Sequence, residues 1–202
     1  MTNCLLASSR PGPNAPLQDV CGNSTQPGAN AVSAFNAWTS AHFPACKLVL
    51  GLPSYGYVSS STAGRLRTRA KSSKAKVKFQ PSSTSVTVVN EDGGSDGQVQ
   101  FRELLRQGAL IRSTPTLLGA SNTSSFIGGG GFERRWDSCS ETPFLRSNAS
   151  RQVISYDDLE SLRLKVAFAK EVGMLGVNLF DIHGDTDNWD LTNCLREALG
   201  LI

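Results

Sequence analysis

The sequence predicts an α/β fold, the last part of a parallel βα barrel carrying a small α+β insertion. Residues 176 to 187 read Gly-Val-Asn-Leu-Phe-Asp-Ile-His-Gly-Asp-Thr-Asp, an apolar run between two helical patterns that turns polar before the second helix. Helix, short apolar strand, polar strand end and helix is the order of βα units. The polar end marks the face where barrel enzymes place their chemistry. The second observation is length. The chain has 202 residues, whereas an eight-unit barrel usually takes about 250, so only part of a barrel fits.

Each element has its own signal. Residues 8 to 28 are rich in Pro, Gly, Ser and Asn and read as loop. Between Ala29 and His42, Val32, Phe35 and Trp38 fall on one face of a helix, which Pro44 stops. Lys47 to Leu52 is a short apolar run ended by Pro53, expected as a buried strand, with Tyr55-Gly56-Tyr57 at its exit. Residues 58 to 155 break the rhythm: a basic cluster, an alternating run from Thr84 to Val89, the turn-rich stretch from Asp92 to Gly97, a helix over Phe101 to Gln107, and the glycines 128 to 131. The barrel rhythm then returns. Asp157 with Glu160 predicts a capping box, and Leu159, Leu162, Val166, Ala169 and Val172 follow at helical spacing up to Gly173. Leu175 to Ile182 is the next strand. Asp190 is placed to cap a last helix with Leu191, Leu195, Ala198 and Leu199 inward, ended by Gly200.

Composition excludes several classes. With 39% hydrophobic and 18% charged residues the chain is an ordinary soluble protein able to bury one core. A formal charge of +3 gives no argument for nucleic acid. Arg65, Arg67, Arg69, Lys71, Lys74, Lys76 and Lys78 cluster, but no aromatic residue interleaves them, so they read as a solvated loop. No apolar run approaches membrane-spanning length. Cys4 to Ala7 is too short for the apolar core of a signal peptide. Asn23, Asn122 and Asn148 begin glycosylation sequons, of which about two would arise by chance. The five cysteines contain no Cys-x-x-Cys pair, which argues against zinc, and their odd number leaves one unpaired within the chain.

Three stretches together resemble the family 18 glycoside hydrolases, the chitinase family. Lys47-Leu-Val-Leu-Gly-Leu-Pro-Ser-Tyr-Gly-Tyr57 is similar to the family's seventh strand. Ile154-Ser-Tyr-Asp-Asp-Leu-Glu-Ser161, with Lys165 beyond, is similar to the start of its seventh helix. Gly176 to Asp185 is similar to its eighth strand. The segments from Pro11 to Tyr57 and from Trp136 to Leu145 are most similar to fungal secreted members. The resemblance implies the C-terminal part of a (β/α)8 TIM barrel with an α+β insertion after the seventh strand. Residues 1–57 would hold the sixth helix and seventh strand, 58–155 the insertion, and 156–202 the seventh helix, eighth strand and eighth helix. It also implies an extracellular parent that hydrolyses β-1,4-N-acetylglucosamine polymers by a substrate-assisted retaining mechanism, with chitin or N-acetylglucosamine oligomers as partners and no cofactor.

The family's acid motif, Asp-x-x-Asp-x-Asp-x-Glu, has no match in these 202 residues. No catalytic residue is therefore assigned, and the chain is expected to be inactive alone. Met1-Thr-Asn-Cys4 either stands where the family's sixth strand ends in Met-x-Tyr-Asp, with the Tyr and Asp replaced, or is unrelated to that strand. The resemblance places Phe180 where the family usually has a Trp that stacks beneath the sugar. Tyr55, Tyr57 and Trp136 are the other expected substrate contacts, although each is equally at home as a packing residue. His183 with Asp181, Asp185 and Asp187 would share one side of an extended segment, but Asp-rich βα loops mostly cap helices and make turns, so no metal is expected. Two functions follow: a piece of a chitin hydrolase completed by strands outside it, or a non-catalytic carbohydrate-binding protein of the same origin. The unpaired edges of an open parallel sheet favour the first.

Overall fold

The computed structural model describes residues 11–24, 26–66, 85–89, 97–113 and 126–202. The expectations on Met1–Cys4, on the basic cluster beyond Arg65, on Thr84, on Asp92–Asp96 and on the sequon at Asn122 lie outside those residues. Helix α1 (Ala31–Ser40) is capped by Asn30, whose side chain accepts from Ser33 N–H at 2.8 Å. Strand β1 (Val49–Pro53) follows a 3-10 turn over Ala45–Lys47. Strand β9 (Gly176–Phe180) pairs with β1 in parallel, from Val49 opposite Gly176 to Pro53 opposite Phe180.

Between β1 and β9 the chain builds a different layer. Strands β2 (Tyr55–Ser60), β3 (Gln98–Gln100), β6 (Glu133–Asp137), β7 (Thr142–Ser147) and β8 (Gln152–Ser155) form one antiparallel sheet in the order β3-β2-β8-β7-β6. Helix α2 (Phe101–Arg106) and the pair β4 (Leu110–Arg112) with β5 (Phe126–Gly128) complete this layer. Helices α3 (Leu159–Glu171) and α4 (Asp190–Leu199) flank β9 in sequence. The predicted alternation of α1, β1, α3, β9 and α4 is therefore present. No described helix is long and apolar enough to cross a membrane.

One core joins the two layers. Phe101, Leu104, Leu110 and Phe126 meet Leu145 and Ile154 from the sheet, Tyr156 just after it, Leu159, Leu162 and Val166 from α3, and Leu191 and Leu195 from α4. Strand β1 contributes Leu52. A disulfide between Cys21 and Cys139 ties the segment before α1 to the β6–β7 turn. There Leu17 N–H donates to Ser140 O at 3.0 Å and Val20 N–H to Cys139 O at 3.2 Å.

Several expectations are corrected by these contacts. Strand β1 is not buried: Val49 and Gly51 are exposed, because a parallel strand is covered only when strands and helices flank it on every side, and β9 is its one described neighbour. The apolar face of α1 contains no buried residue; Phe35 meets Phe168 edge-on at 5.8 Å, while Trp38 stays exposed beside Phe43. Strand β9 is shorter than predicted, with Leu175 exposed before it and Ile182 in a 3-10 turn after it. Residues 85–89, the described part of the alternating run, join no strand ladder. Val88 is instead held by the Gln152 side chain, which accepts its N–H at 2.9 Å and donates to its carbonyl at 2.8 Å, replacing the ladder of a neighbouring strand.

Both predicted acidic caps move to a neighbouring carboxylate. Helix α3 is capped by Asp158 in a reciprocal box with Ser161, while Asp157 is drawn inward to Lys165. Helix α4 is capped from further away: buried Asp185 accepts from Leu191 N–H at 2.9 Å and Thr192 N–H at 2.8 Å. Asp190 instead faces the Arg112 guanidinium and the Thr186 hydroxyl.

Candidate substrate-binding site

The site begins where β1 and β9 end together. Alternation along both strands sends Leu50, Leu52, Val177 and Leu179 to the core and leaves Val49, Gly51, Asn178 and Phe180 on the opposite, exposed face. Phe180, at the C-terminal end of β9, is 63% exposed. The peptide between Phe180 and Asp181 is cis. Ser54 joins the two strand ends: its N–H donates to Phe180 O at 3.0 Å and its hydroxyl to Asp181 O.

Strand β2 leaves directly from that join, and its period of two puts Tyr55 and Tyr57 on one face. Their rings meet edge to face at 5.9 Å. Asn14 donates its amide to Tyr55 O at 2.7 Å, fixing the strand's entry. Burial, with the negative charges of Asp157 and Asp181 and the neighbouring Tyr57, holds the Tyr55 phenol above its ordinary pKa. It is a neutral hydroxyl, able to donate a hydrogen bond.

Two buried acceptors border these tyrosines without a hydrogen-bond donor among the described residues, Gln100 Oε1 and Asp157 Oδ2. Gln100 lies opposite Tyr55 in the β2–β3 register. The other oxygen of Asp157 accepts from Lys165 Nζ and from the Ser161 hydroxyl. Burial pushes the Asp157 carboxyl up, against the pull of Lys165 and Ser161. Sequence reasoning missed Asn14, Ser54 and Gln100, which carry no pattern. The inward role of Asp157 had a trace in Lys165, eight residues on.

Trp136 is placed apart from the tyrosines. Tyr57 is opposite Ser155, Ser155 opposite Phe144, and Phe144 opposite Arg135. Arg135 therefore shares the tyrosine face, and Trp136, the next residue, points to the other side. There the Arg134 guanidinium lies 5.7 Å from the Trp136 ring centre while pairing with Asp158 and Glu160. The structure thus puts Phe180 at the C-terminal end of β9 and Tyr55 and Tyr57 on one face of β2, which starts two residues after β1, and leaves Trp136 on the opposite sheet face.

The one-sided alignment of Asp181, His183, Asp185 and Asp187 does not form, because Ile182–Gly184 is a 3-10 turn. Asp181 accepts from Gly184 N–H at 3.2 Å, and Asp185 is occupied with the α4 N-terminus. Of the free thiols among the described residues, Cys46 is exposed and Cys194 is buried, its pKa pushed up to about 11 by burial.

An open parallel strand pair with an aromatic residue at its C-terminal end, flanked by a small antiparallel layer, defines a class. Residues 5–185 match the glycosyl hydrolases family 18, and the chain belongs to that family. Over 94% of its length it is 31% identical to a chitinase-like effector of Moniliophthora roreri, of which it spans 46%. It is 26% identical to Chitinase A1 of Niallia circulans over 84% of its length, 20% of that protein. The solved chitinase of Rhizomucor miehei superposes with a TM-score of 0.64 at 28% identity, over 94% of this chain and 48% of that one. Human YKL-39, described as a pseudo-chitinase with retained chitooligosaccharide binding properties, shares the fold at a TM-score of 0.63 and 19% identity. The chain spans less than half the length of these relatives.

Proposed function

We propose that this chain is the C-terminal portion of a secreted, chitinase-like (β/α)8 barrel that binds β-1,4-linked N-acetylglucosamine oligomers. In that reading β1 and β9 are its seventh and eighth strands and residues 58–155 its insertion. The observation that carries it is the exposure of Val49 and Phe180 on the β1–β9 pair, which has no further partner strand among the described residues. Barrel strands are closed on both edges and their inward side chains fill the interior, so Val49, Gly51, Asn178 and Phe180 await strands that the described residues do not supply. Spanning under half of each relative agrees with this.

Phe180 is the proposed floor for a sugar ring, whose C–H face an aromatic ring binds by dispersion and by shedding water. Tyr55 and Tyr57 form the adjoining wall. Trp136 is a contact only for an oligomer that reaches the far side of the antiparallel sheet. Hydrolysis, where the whole protein performs it, draws its acid from outside this segment and uses the substrate's own acetamido group as nucleophile. The acid is worth about 10²–10⁴-fold, so sugar stacking alone does not replace it. A second reading, a protein that binds chitin without cutting it, has a counterpart of the same fold in the pseudo-chitinase YKL-39.

Calorimetric titration of the full-length protein with an N-acetylglucosamine tetramer, alongside release of reducing ends, tests both. Binding with hydrolysis supports the first reading, binding without hydrolysis the second. Absence of binding contradicts the assignment of the site.

A further inference from the structure

We propose that Asn148 carries an N-linked glycan. The inference rests on the reading of the protein as secreted and extends it to a modification site. Asn148 heads Asn148-Ala149-Ser150 at the tip of the β7–β8 turn, where it is exposed. Among the described residues its side chain holds no hydrogen bond or ion pair, so a sugar on its amide displaces none of their contacts.

The turn itself does not need the hydroxyl of the sequon. Ser147 does the polar work, its Oγ accepting from Ser150 N–H at 3.2 Å. Arg151, with φ of 54°, closes the turn, and its carbonyl accepts from Ser61 N–H at 2.8 Å. Ser150 Oγ is buried with no partner among the described residues. An unpartnered buried hydroxyl destabilises a fold, and alanine would serve the turn at least as well. The use of this hydroxyl therefore lies before folding, in the recognition of an asparagine two residues upstream. The Cys21–Cys139 disulfide is of the kind that persists in the oxidising compartments where such recognition takes place.

The transfer balances with one co-reactant, an oligosaccharide held through its anomeric carbon on a lipid diphosphate. The Asn148 amide nitrogen bonds to that carbon and loses one proton. The bond from the carbon to the diphosphate oxygen breaks, and the lipid diphosphate leaves with the electron pair.

The turn lies beyond the Ser60–Gln152 end of the β2–β8 pair, whereas Tyr55 lies past its other end. Five residue steps along the strand separate Ser60 from Tyr55, about 17 Å, so a glycan at Asn148 leaves the proposed sugar-binding end open.

The test is peptide mass spectrometry of the protein recovered at full length from its source, after enzymatic deglycosylation in heavy-oxygen water. The expected result is conversion of Asn148 to labelled aspartate. In the same host, Ser150→Ala should abolish the glycan without lowering the melting temperature, and Ser150→Thr should restore it. An exported protein with the Cys21–Cys139 bond formed and Asn148 unmodified would overturn the proposal while leaving secretion intact. Retention in the cell with both cysteines reduced and no glycan would overturn both. A marked loss of stability in Ser150→Ala would contradict the claim that the hydroxyl has no role in the turn.

Discussion

Phe180 offers a sugar ring one exposed aromatic face at the end of a strand, and its neighbours set how much that face is worth. An aromatic contact contributes about 1 kcal/mol beyond buried area, roughly fivefold in affinity. In the full-length protein, Phe180→Ala is expected to weaken tetramer binding by about that factor or more, and Phe180→Trp, with its larger face, to strengthen it. Trp136→Ala should leave the same titration unchanged, because Trp136 faces away from the tyrosines and packs against Arg134. A second prediction concerns Asp190. Burial raises its pKa, but the hydrogen bonds from Arg112 and Thr186 outweigh burial and leave the carboxyl below its ordinary value. A carboxylate depressed in the folded state stabilises above its unfolded pKa of about 3.9 and loses that contribution as pH falls through the folded value. Melting curves between pH 7 and pH 2 should therefore show Asp190→Asn losing less stability than the parent below about pH 4.

At the scale of elements, periodicity made the order of helices and strands legible, because apolar spacing depends on burial and burial decides the element. What it could not rank was the competition between adjacent polar groups. Asp157 and Asp158 are equivalent as text, yet only one can reach the buried Lys165, and the other is left for the α3 N-terminus. Asp185 and Asp190 divide in the same way, the choice made by where Arg112 arrives from β4. The face taken by Trp136 was equally hidden, since it depends on a register passed through three strand pairings. The choice of Phe180, Tyr55 and Tyr57 rested on the family resemblance; alternation along the strand adds only that the two tyrosines share a face. The swapped roles of the two aspartates give a direct check by chemical denaturation. Asp157→Ala leaves Lys165 buried and unpaired and should destabilise by about 3–5 kcal/mol. Asp158→Ala removes a cap and a partly exposed ion pair and should cost about 1–2 kcal/mol. The reverse order would mean that the cap, not the buried pair, sits at Asp157.

The whole molecule carries a contrast between its two layers. The antiparallel sheet closes over a core with α2, α3 and α4, while the β1–β9 pair has no further partner strand among the described residues and leaves Phe180 exposed at its end. Exposed parallel edges are aggregation-prone, and the relatives resolve the contrast by being more than twice as long as the part matched here. The most direct test is the intact mass of the native protein, captured from its source with an antibody against residues 156–202 and read against the 5′ end of its transcript. The account predicts a polypeptide about twice as long as these 202 residues, with the acid motif upstream if it cuts chitin and a degenerate motif if it only binds it. A native species of 21.6 kDa that is monomeric and melts in one cooperative transition would contradict it.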